Sequence, residues 1–266
     1  MDNKVTIKDV AEKAGVSKAT VSYVLNNRED QSISEATKKK IWQVVNMLNY
    51  RPNSFAQNMR VNQEKKMIAI FFPSHLTTLE KLSYFDFLED LKQVFRNNKY
   101  EILLLNNTTE RVNTADAIIT CGLTKEEFYT LGDCNLIPLI SIDCKIEDPL
   151  FFEIYNNYES IKKEADSYFK SDYTYICTQP RDIQLKQVIS STFANVLFVD
   201  TVSSLSQINN KNILITQSPL QDLLTEQNRF NIYFPERLKT EKAEMIAQCI
   251  KLALSHELSP QHIYKV

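Results

Sequence analysis

The residues of this sequence whose types and spacing predict a chemistry lie in one short helix near the N-terminus. Its apolar positions repeat at helical spacing and face inward. The outer face is left with a basic side chain, a small one and two that carry hydroxyl groups. The basic side chain and the two hydroxyl groups can form hydrogen bonds with another molecule. The small side chain can make an apolar contact with a methyl group of that molecule. The exposed residues are Lys18, Ala19, Ser22 and Tyr23.

A tight turn between two short helices must position this outer face. Thr6 is a good N-cap for the first helix, and Asp9 places an acid in its first turn. Gly15 can adopt the left-handed conformation that ends the first helix, and Ser17 caps the second. Two helices joined by a short turn containing glycine are the signature of a helix-turn-helix, whose second helix enters the major groove of DNA.

A third helix is predicted after a polar loop at 26–32, because two short helices would not bury enough surface alone. Ser34 and Thr37 open this helix, and Trp42 can close the small core. The apolar positions of the three helices are Ile7, Val10, Ala11, Ala14, Val16, Val21, Val24, Leu25, Ile41, Val44, Val45 and Leu48.

The charge of the chain is divided unevenly along its 266 residues, although the formal net charge is only −2. Residues 1–66 contain 12 Lys/Arg and 7 Asp/Glu, whereas the remaining residues contain 19 and 26. A small basic module on a larger acidic body is therefore expected, and basic modules commonly contact phosphate.

Residues 5–66 resemble the DNA-binding headpiece of the lactose-repressor family of bacterial transcription regulators. Three pieces carry the resemblance: T-I-K-D-V-A-x-x-A-G-V-S-x-x-T-V-S at 6–22, L-N-Y-x-P-N at 48–53 and A-Q-x-M at 56–59. The resemblance implies a dimeric regulator, most simply a repressor, that binds a pseudo-palindromic operator in double-stranded DNA. An activator and an architectural DNA binder stay open as alternatives.

The resemblance also implies roles for individual residues of the headpiece. Lys18, Ala19 and Tyr23 stand where the family contacts base edges; lysine can donate to guanine, and alanine can contact a thymine methyl. Hydroxyl and amide side chains suit phosphate oxygens, which set the register of the complex; for Thr20, packing within the helix is an equal alternative. The residues assigned to phosphate are Ser17, Thr20, Ser22 and Asn26, and Thr6 and Tyr50 complete the headpiece contacts.

The segment 53–60 corresponds to the family's hinge helix, which pairs with its dimer mate in the minor groove. Met59 stands where the family has a leucine that wedges between base steps, and it is apolar and long enough to do so. Asn53, Gln57 and Arg60 are the other contacts implied, with Arg60 reaching the groove or a phosphate.

From Met67 onward, short β-rich runs alternate with amphipathic helical runs, which predicts an α/β body with parallel sheets. The family's body is a pair of lobes similar to periplasmic sugar-binding proteins, and we expect a shortened version. The domains are therefore predicted as a helix-turn-helix domain at 1–52, a hinge helix and linker at 53–66, and a degenerate effector-binding and dimerisation domain at 67–266.

The departures from the family concern its sugar site. The runs with which the family hydrogen-bonds sugars are absent, and Arg181 is the remaining candidate for an effector contact. Only residues 108–114 separate two predicted strands where a parallel crossover should carry a helix. We therefore expect an exposed sheet face, and a sugar response that is weakened or lost. The alternative is an effector-responsive regulator of sugar metabolism with an atypical pocket.

An enzyme is a different class of function, an α/β catalytic body with an appended DNA-binding domain. The chain has no G-x-G-x-x-G, P-loop or G-x-S-x-G motif, so catalysis is not expected. Asp86, Glu89 and Asp90 fall on one helix face, for which a solvated surface is preferred over a carboxylate pair. No cofactor is expected.

The remaining composition favours a reduced, cytoplasmic protein. Apolar residues make up 43% of the chain, but no run reaches the length of a membrane span, and the N-terminus lacks the apolar core of a secretory signal. The cysteines, Cys121, Cys134, Cys144, Cys177 and Cys249, have no metal or disulfide spacing, and neither do the three histidines. No metal site is predicted, and the expected location is the cytoplasm, associated with the nucleoid.

Overall fold

The computed structural model describes residues 5–25, 33–48, 50, 65–105, 111–255 and 261–266. The chain divides into two units, Met1–Lys65 and Lys66–Val266. The three-part division predicted from the sequence stays a prediction, since the hinge segment lies outside the described residues. No described helix has the length and apolar character needed to cross a bilayer.

The first unit, the headpiece, contains the three predicted helices: α1 (Ile7–Ala14), α2 (Lys18–Leu25) and α3 (Glu35–Met47). Ser34 caps α3, its hydroxyl oxygen accepting from the backbone N–H of Thr37 at 3.2 Å. The predicted apolar positions form one small core, in which Val10, Val21 and Ile41 are completely buried. The helix prediction is therefore confirmed for the headpiece.

The second unit, the body, contains two parallel sheets, which confirms the predicted α/β class. In its described residues, lobe 1 has a six-stranded sheet of order β10-β5-β4-β3-β1-β2, and lobe 2 has a four-stranded sheet of order β7-β6-β8-β9. The strands are β1 (Lys66–Phe71), β2 (Tyr100–Leu105), β3 (Ala117–Cys121), β4 (Leu139–Ile142), β5 (Phe152–Tyr155), β6 (Thr174–Thr178), β7 (Val196–Val199), β8 (Asn212–Ile215), β9 (Asn231–Tyr233) and β10 (Ile263–Lys265).

Helices cover both faces of each sheet, which is why the central strands are continuous apolar runs. The helices of lobe 1 are α4 (Thr78–Asn97), α5 (Lys125–Cys134) and α9 (Arg237–Ser255); those of lobe 2 are α6 (Tyr158–Phe169), α7 (Ile183–Thr192), α8 (Ser218–Thr225) and a 3-10 turn at Val202–Gln207. In lobe 1, α4 and α9 share one apolar cluster with the sheet, and α5 packs on the opposite face.

The described part of the connection between β2 and β3 lacks a helix, as expected, but the side chains on the sheet face beside it are not the exposed ones. The described residues 111–116 contain no helix, but Val112 is buried there, and its N–H donates to the Asn135 side chain at 2.8 Å. Leu105 on the same face of β2 is buried as well. The exposed side chains are Ile102 and Leu104, which alternation places on the opposite face, beside α4. The prediction of an exposed face on the crossover side is therefore wrong.

Candidate nucleic-acid interface

The turn that positions α2 depends on the backbone conformation of Gly15. Its φ of 67° and ψ of 36° are left-handed, and its N–H donates to the Glu12 carbonyl oxygen at 3.2 Å. The next N–H, of Val16, donates to Ala11 at 3.0 Å. These bonds satisfy the last carbonyls of α1 and reverse the chain. As predicted from the sequence, Gly15 makes the turn.

Side-chain caps fix the starts of both helices. The Thr6 hydroxyl and N–H both donate to the Asp9 carboxylate at 2.7 Å, and these bonds hold the pKa of Asp9 below its ordinary value. At α2, the Ser17 hydroxyl oxygen accepts from the N–H of Thr20 at 3.0 Å and lies 2.8 Å from the Thr20 hydroxyl. Thr6, Ser17 and Thr20 therefore already use their hydroxyls within the headpiece.

The outer face of α2 is the surface that the sequence predicts to contact DNA. Lys18 and Ala19 are exposed, as predicted, whereas Ser22 and Tyr23 are half-buried rather than exposed. Tyr50 packs against the headpiece core. The other predicted DNA contacts, Asn26, Asn53, Gln57, Met59 and Arg60, lie outside the described residues, so their roles stay predictions.

The body contains a second candidate site, a cavity of about 180 Å³ between its two lobes. The sequence prediction left Arg181 as the one effector candidate, and this residue does line the cavity. Its guanidinium donates to the Glu127 carboxylate of α5 at 2.6 Å, which joins lobe 2 to lobe 1. Arg181 is therefore already engaged by a protein carboxylate.

The acidic face of α4 differs from its predicted solvated state. Glu89 is exposed and pairs with Lys92 at 3.1 Å, but Asp86 and Asp90 line the interlobe cavity. Burial, with a further contribution from Asp86, raises the pKa of Asp90. Asp86 lies 3.6 Å from the Lys239 ammonium. Glu89 is therefore solvated as predicted, whereas Asp86 and Asp90 are half-buried at the rim of the cavity rather than fully solvated.

Other lining residues were not identified from the sequence. Gln217 follows β8 and joins the ends of two strands: its side-chain oxygen accepts from the N–H of Thr178 and its amide donates to the Thr178 hydroxyl, both at 2.8 Å. Tyr84 comes from α4, and Tyr158 begins α6. A usable signal existed for Gln217, since ligand sites of parallel sheets gather beyond the carboxyl ends of the strands.

The thiols of the cavity are not reactive groups. Burial raises the pKa of Cys177 to about 12 and that of Cys121 well above its ordinary value. Both thiols stay protonated at neutral pH and are poor nucleophiles. The five cysteines are free, which agrees with the reduced state predicted. Within the described ranges, no group of three or more His, Cys, Asp or Glu side chains is placed to hold a metal ion.

Known proteins match the headpiece alone in one comparison and longer parts of the chain in two others. Residues 6–53 match the family model of bacterial regulatory proteins, lacI family. The probable HTH-type transcriptional repressor ExuR of Bacillus subtilis (strain 168) is 31% identical over 174 residues, which are 62% of this chain and 51% of that protein. The repressor PurR of Aliivibrio fischeri (strain MJ11) is 28% identical over 166 residues, 58% of this chain and 48% of that protein.

The chain therefore spans about half the length of these curated relatives. Over nearly its whole length it is similar in structure to the lac repressor dimer bound to operator and the anti-inducer ONPF. The TM-score is 0.52 at 14% identity, covering 99% of this chain and 96% of that one. This likeness shows that the body has the same fold.

Proposed function

We propose that this protein, whose residues 6–53 belong to the lacI family of bacterial regulatory proteins, is a sequence-specific DNA-binding transcription regulator that acts as a homodimeric repressor. One headpiece contacts one half-site, and a dimer gains affinity by engaging two half-sites of a pseudo-palindromic operator. The observation that carries the proposal is a family-matched helix-turn-helix in which Gly15 and the Ser17 cap present Lys18 and Ala19 to solvent.

An exposed apolar surface on lobe 1 supports the homodimer. Phe85 is 65% exposed and lies one turn from the exposed Leu82 on α4. Leu104 is 51% exposed on the edge strand β2, which α4 contacts. Because α4 runs back from the carboxyl end of the sheet, its first half and Leu104 lie at the same end. A second copy covering this surface would remove apolar side chains and an open strand edge from water.

The packing of the two lobes supports a weakened or lost sugar response. Leu79 of lobe 1 is only 1% exposed, and it belongs to the apolar cluster of lobe 2 with Leu220 and Leu224. Together with the Arg181–Glu127 ion pair, this contact joins the two lobes directly. A ligand changes DNA binding only if it favours one lobe arrangement over another, and these direct contacts stabilise the arrangement in which the lobes meet.

The DNA-binding part is tested by selecting duplexes from a random library with the purified full-length protein. We expect recovery of an inverted repeat, and an affinity that falls with salt at a log–log slope of about −0.9 per phosphate contacted. An unenriched library, or an affinity that does not change between dilute and physiological salt, would refute DNA recognition.

The dimer is tested by sedimentation of the parent protein and two charge variants. Phe85→Glu should shift the protein toward monomer, because it places a charge in the apolar surface. Leu150→Glu is the matched control, since Leu150 is 82% exposed elsewhere in the body. A Phe85→Glu protein with the parent's sedimentation coefficient at every concentration would show that copies meet elsewhere.

The sugar response is tested by titrating mono- and disaccharides and sugar phosphates while melting temperature and operator affinity are followed together. We expect neither to change. A saturable rise of several degrees coupled to altered operator affinity would contradict the proposal.

A further inference from the structure

One leucine of lobe 1 packs in the core of lobe 2. Leu79 lies in the first turn of α4, a helix of lobe 1, and only 1% of its surface is exposed. Its neighbours form an apolar cluster between α8 and the sheet of lobe 2. Among the described residues, the other buried members of this cluster all come from lobe 2: Ile176, Val199, Leu205, Ile208, Ile213, Ile215, Leu220 and Leu224. Leu79 therefore fills a place in the core of the opposite lobe.

The start of α4 holds this leucine in position. The Thr77 N–H donates to the Glu80 carboxylate at 2.7 Å, and the Glu80 N–H donates to the Thr77 hydroxyl oxygen at 3.2 Å. This reciprocal cap fixes the first turn of the helix. The Ser83 hydroxyl donates to the Leu79 carbonyl oxygen at 3.0 Å and lies 3.5 Å from the side-chain amide of Gln217 in lobe 2. Leu79 is therefore presented to lobe 2 by a well-anchored helix end.

The Leu79 contact lies away from the connections between the lobes. The chain passes into lobe 2 after β5, and α9 connects the two cores again. In the sheet of lobe 1, β4 and β3 separate β5 from β1, the strand that precedes α4. Three strand spacings amount to about 14 Å across the sheet. A contact at this distance from the connections must break before the lobes can rotate apart.

The apolar contact outweighs the ion pair that also joins the lobes. Arg181 and Glu127 lie 2.6 Å apart, but their side chains are 29% and 32% exposed, so water screens their attraction. A pair of this kind changes an equilibrium by about fivefold at most. Exposing a fully buried leucine changes it by about 10- to 100-fold. Leu79 therefore contributes more than the ion pair to the resistance against separation.

We propose that Leu79 is a latch that keeps the two lobes closed through the protein's own packing. In the closed arrangement α4 contacts α8 and the Leu79 side chain occupies the lobe 2 cluster, which it must leave when the lobes separate. Any signal that acts on the body by separating its lobes must therefore first withdraw Leu79. That the latch regulates operator binding rests on the proposed function, whereas the latch itself does not.

A distance measurement by electron paramagnetic resonance on the full-length protein tests the latch. Spin labels are attached through Gln93→Cys and Thr225→Cys, at exposed positions of α4 and α8, in a protein that also carries Cys134→Ser. Excess unlabelled protein keeps labels of two copies apart. The parent should give one narrow distance distribution. Leu79→Asp should move most molecules to a longer distance, because an ionised carboxylate does not remain in an apolar cluster. An acid suits the first turn of a helix, so α4 itself should stay folded.

Two variants separate the latch from a general loosening of the body. Leu79→Met keeps an apolar side chain of similar volume, so it should retain the parent's distance. Leu91→Ala is the matched control on the same helix, since Leu91 is completely buried in the core of lobe 1. It should lower the melting temperature through the cavity that it leaves, but it should keep the parent's distance.

Several outcomes would overturn the latch. A parent protein with a broad or long distance distribution would do so, and this result requires no variant to fold. A Leu79→Asp distance equal to the parent's, or an equally long distance in Leu91→Ala, would do so as well.

Operator binding by the opened protein tests the regulatory part. If Leu79→Asp opens the lobes, operator affinity should change by at least about fivefold, the lower end of allosteric coupling. An unchanged affinity would show that the latch does not regulate DNA binding. Failure of the DNA selection, with lobes that still open in Leu79→Asp, would remove the proposed function and leave the latch standing, so the two failures are distinguishable.

Discussion

Replacing Gly122 by alanine should destabilise the body through two separable effects. Gly122 follows β3 with a φ of 59°, a conformation that costs an L-residue about 1–2 kcal/mol. A Cβ at this position would also lie 2.1 Å from the Tyr84 hydroxyl oxygen. Because normal contacts begin near about 3.5 Å, the hydroxyl would have to retreat by more than about 1 Å. Its ring is held in place by stacking on Phe72 at 4.7 Å.

Overpacking of this kind costs about 1–3 kcal/mol. Adding the backbone cost gives about 2–5 kcal/mol for Gly122→Ala. For a unit of roughly 200 residues this corresponds to a fall of about 10 °C in melting temperature. Differential scanning calorimetry of the full chain measures it. Gly15→Ala is the control for the backbone cost alone, because its Cβ would meet only the end of Lys40, at 3.7 Å.

The double variant with Tyr84→Phe separates the two effects. Without the hydroxyl, the nearest atom to the new Cβ is the ring carbon at 3.4 Å, which is an ordinary contact. Tyr84→Phe should therefore restore the overpacking part, about 1–3 kcal/mol, and leave the backbone part. A double variant as unstable as Gly122→Ala would refute the reasoning, since the hydroxyl could then not be the obstacle.

Three further changes test the headpiece, the cleft and the turns. Lys18→Ala should relax base preference at one operator position by about 1–3 kcal/mol, whereas Lys13→Ala should weaken all sequences equally; competition binding with single-base operator variants separates these results. Asp90→Asn should stabilise the protein at neutral pH. Burial raises the pKa of Asp90 in the folded state, so the protonated carboxyl favours folding. As the pH rises the carboxyl loses its proton and this contribution to stability is lost, whereas the asparagine stays neutral. The gain measured by denaturation should disappear as the pH falls below the ordinary aspartate pKa, and a gain independent of pH would contradict this account. Lys170→Gly should raise the free energy of unfolding by about 0.5–1 kcal/mol, because this exposed lysine ends α6 with a φ of 53°; no gain in urea denaturation would show that the left-handed turn is not strained.

The sequence predicted the headpiece best because each of its signals is local. A cap, a helical apolar period and a glycine turn all act within a few residues, so the positions of Thr6, Gly15 and Ser34 followed directly. The long apolar strands and amphipathic helices of the body were predicted for the same reason. Shorter elements were missed: β5 has only four residues and buries a charged one, Glu153. Its carboxylate accepts from the N–H groups of Ile146 and Glu147, both at 2.8 Å, a contact that periodicity cannot indicate.

The cavity could not be predicted because it depends on how two lobes meet. Helical periodicity places Asp86 and Asp90 on one face of α4, but it does not indicate whether water or lobe 2 covers that face. Tyr158 is an apolar-face residue of α6 in any local analysis, and its place in the cavity wall appears only when the surrounding lobes are in position. These features depend on tertiary packing, which the local pattern of polar and apolar residues does not indicate.

The helix α9 has a mechanical consequence for the body. It begins beside Leu238 in the core of lobe 2 and continues into the core of lobe 1, where Ile246 and Ile250 are buried. Its 19 residues form a rod about 28 Å long. A rod with both ends embedded resists bending, so rotation of one lobe requires Leu238 to leave its cluster or the helix to unwind near Lys242. The turn around Lys242 is therefore a point at which the two lobes are mechanically coupled, and the Lys242–Asp143 ion pair ties that turn to the end of β4.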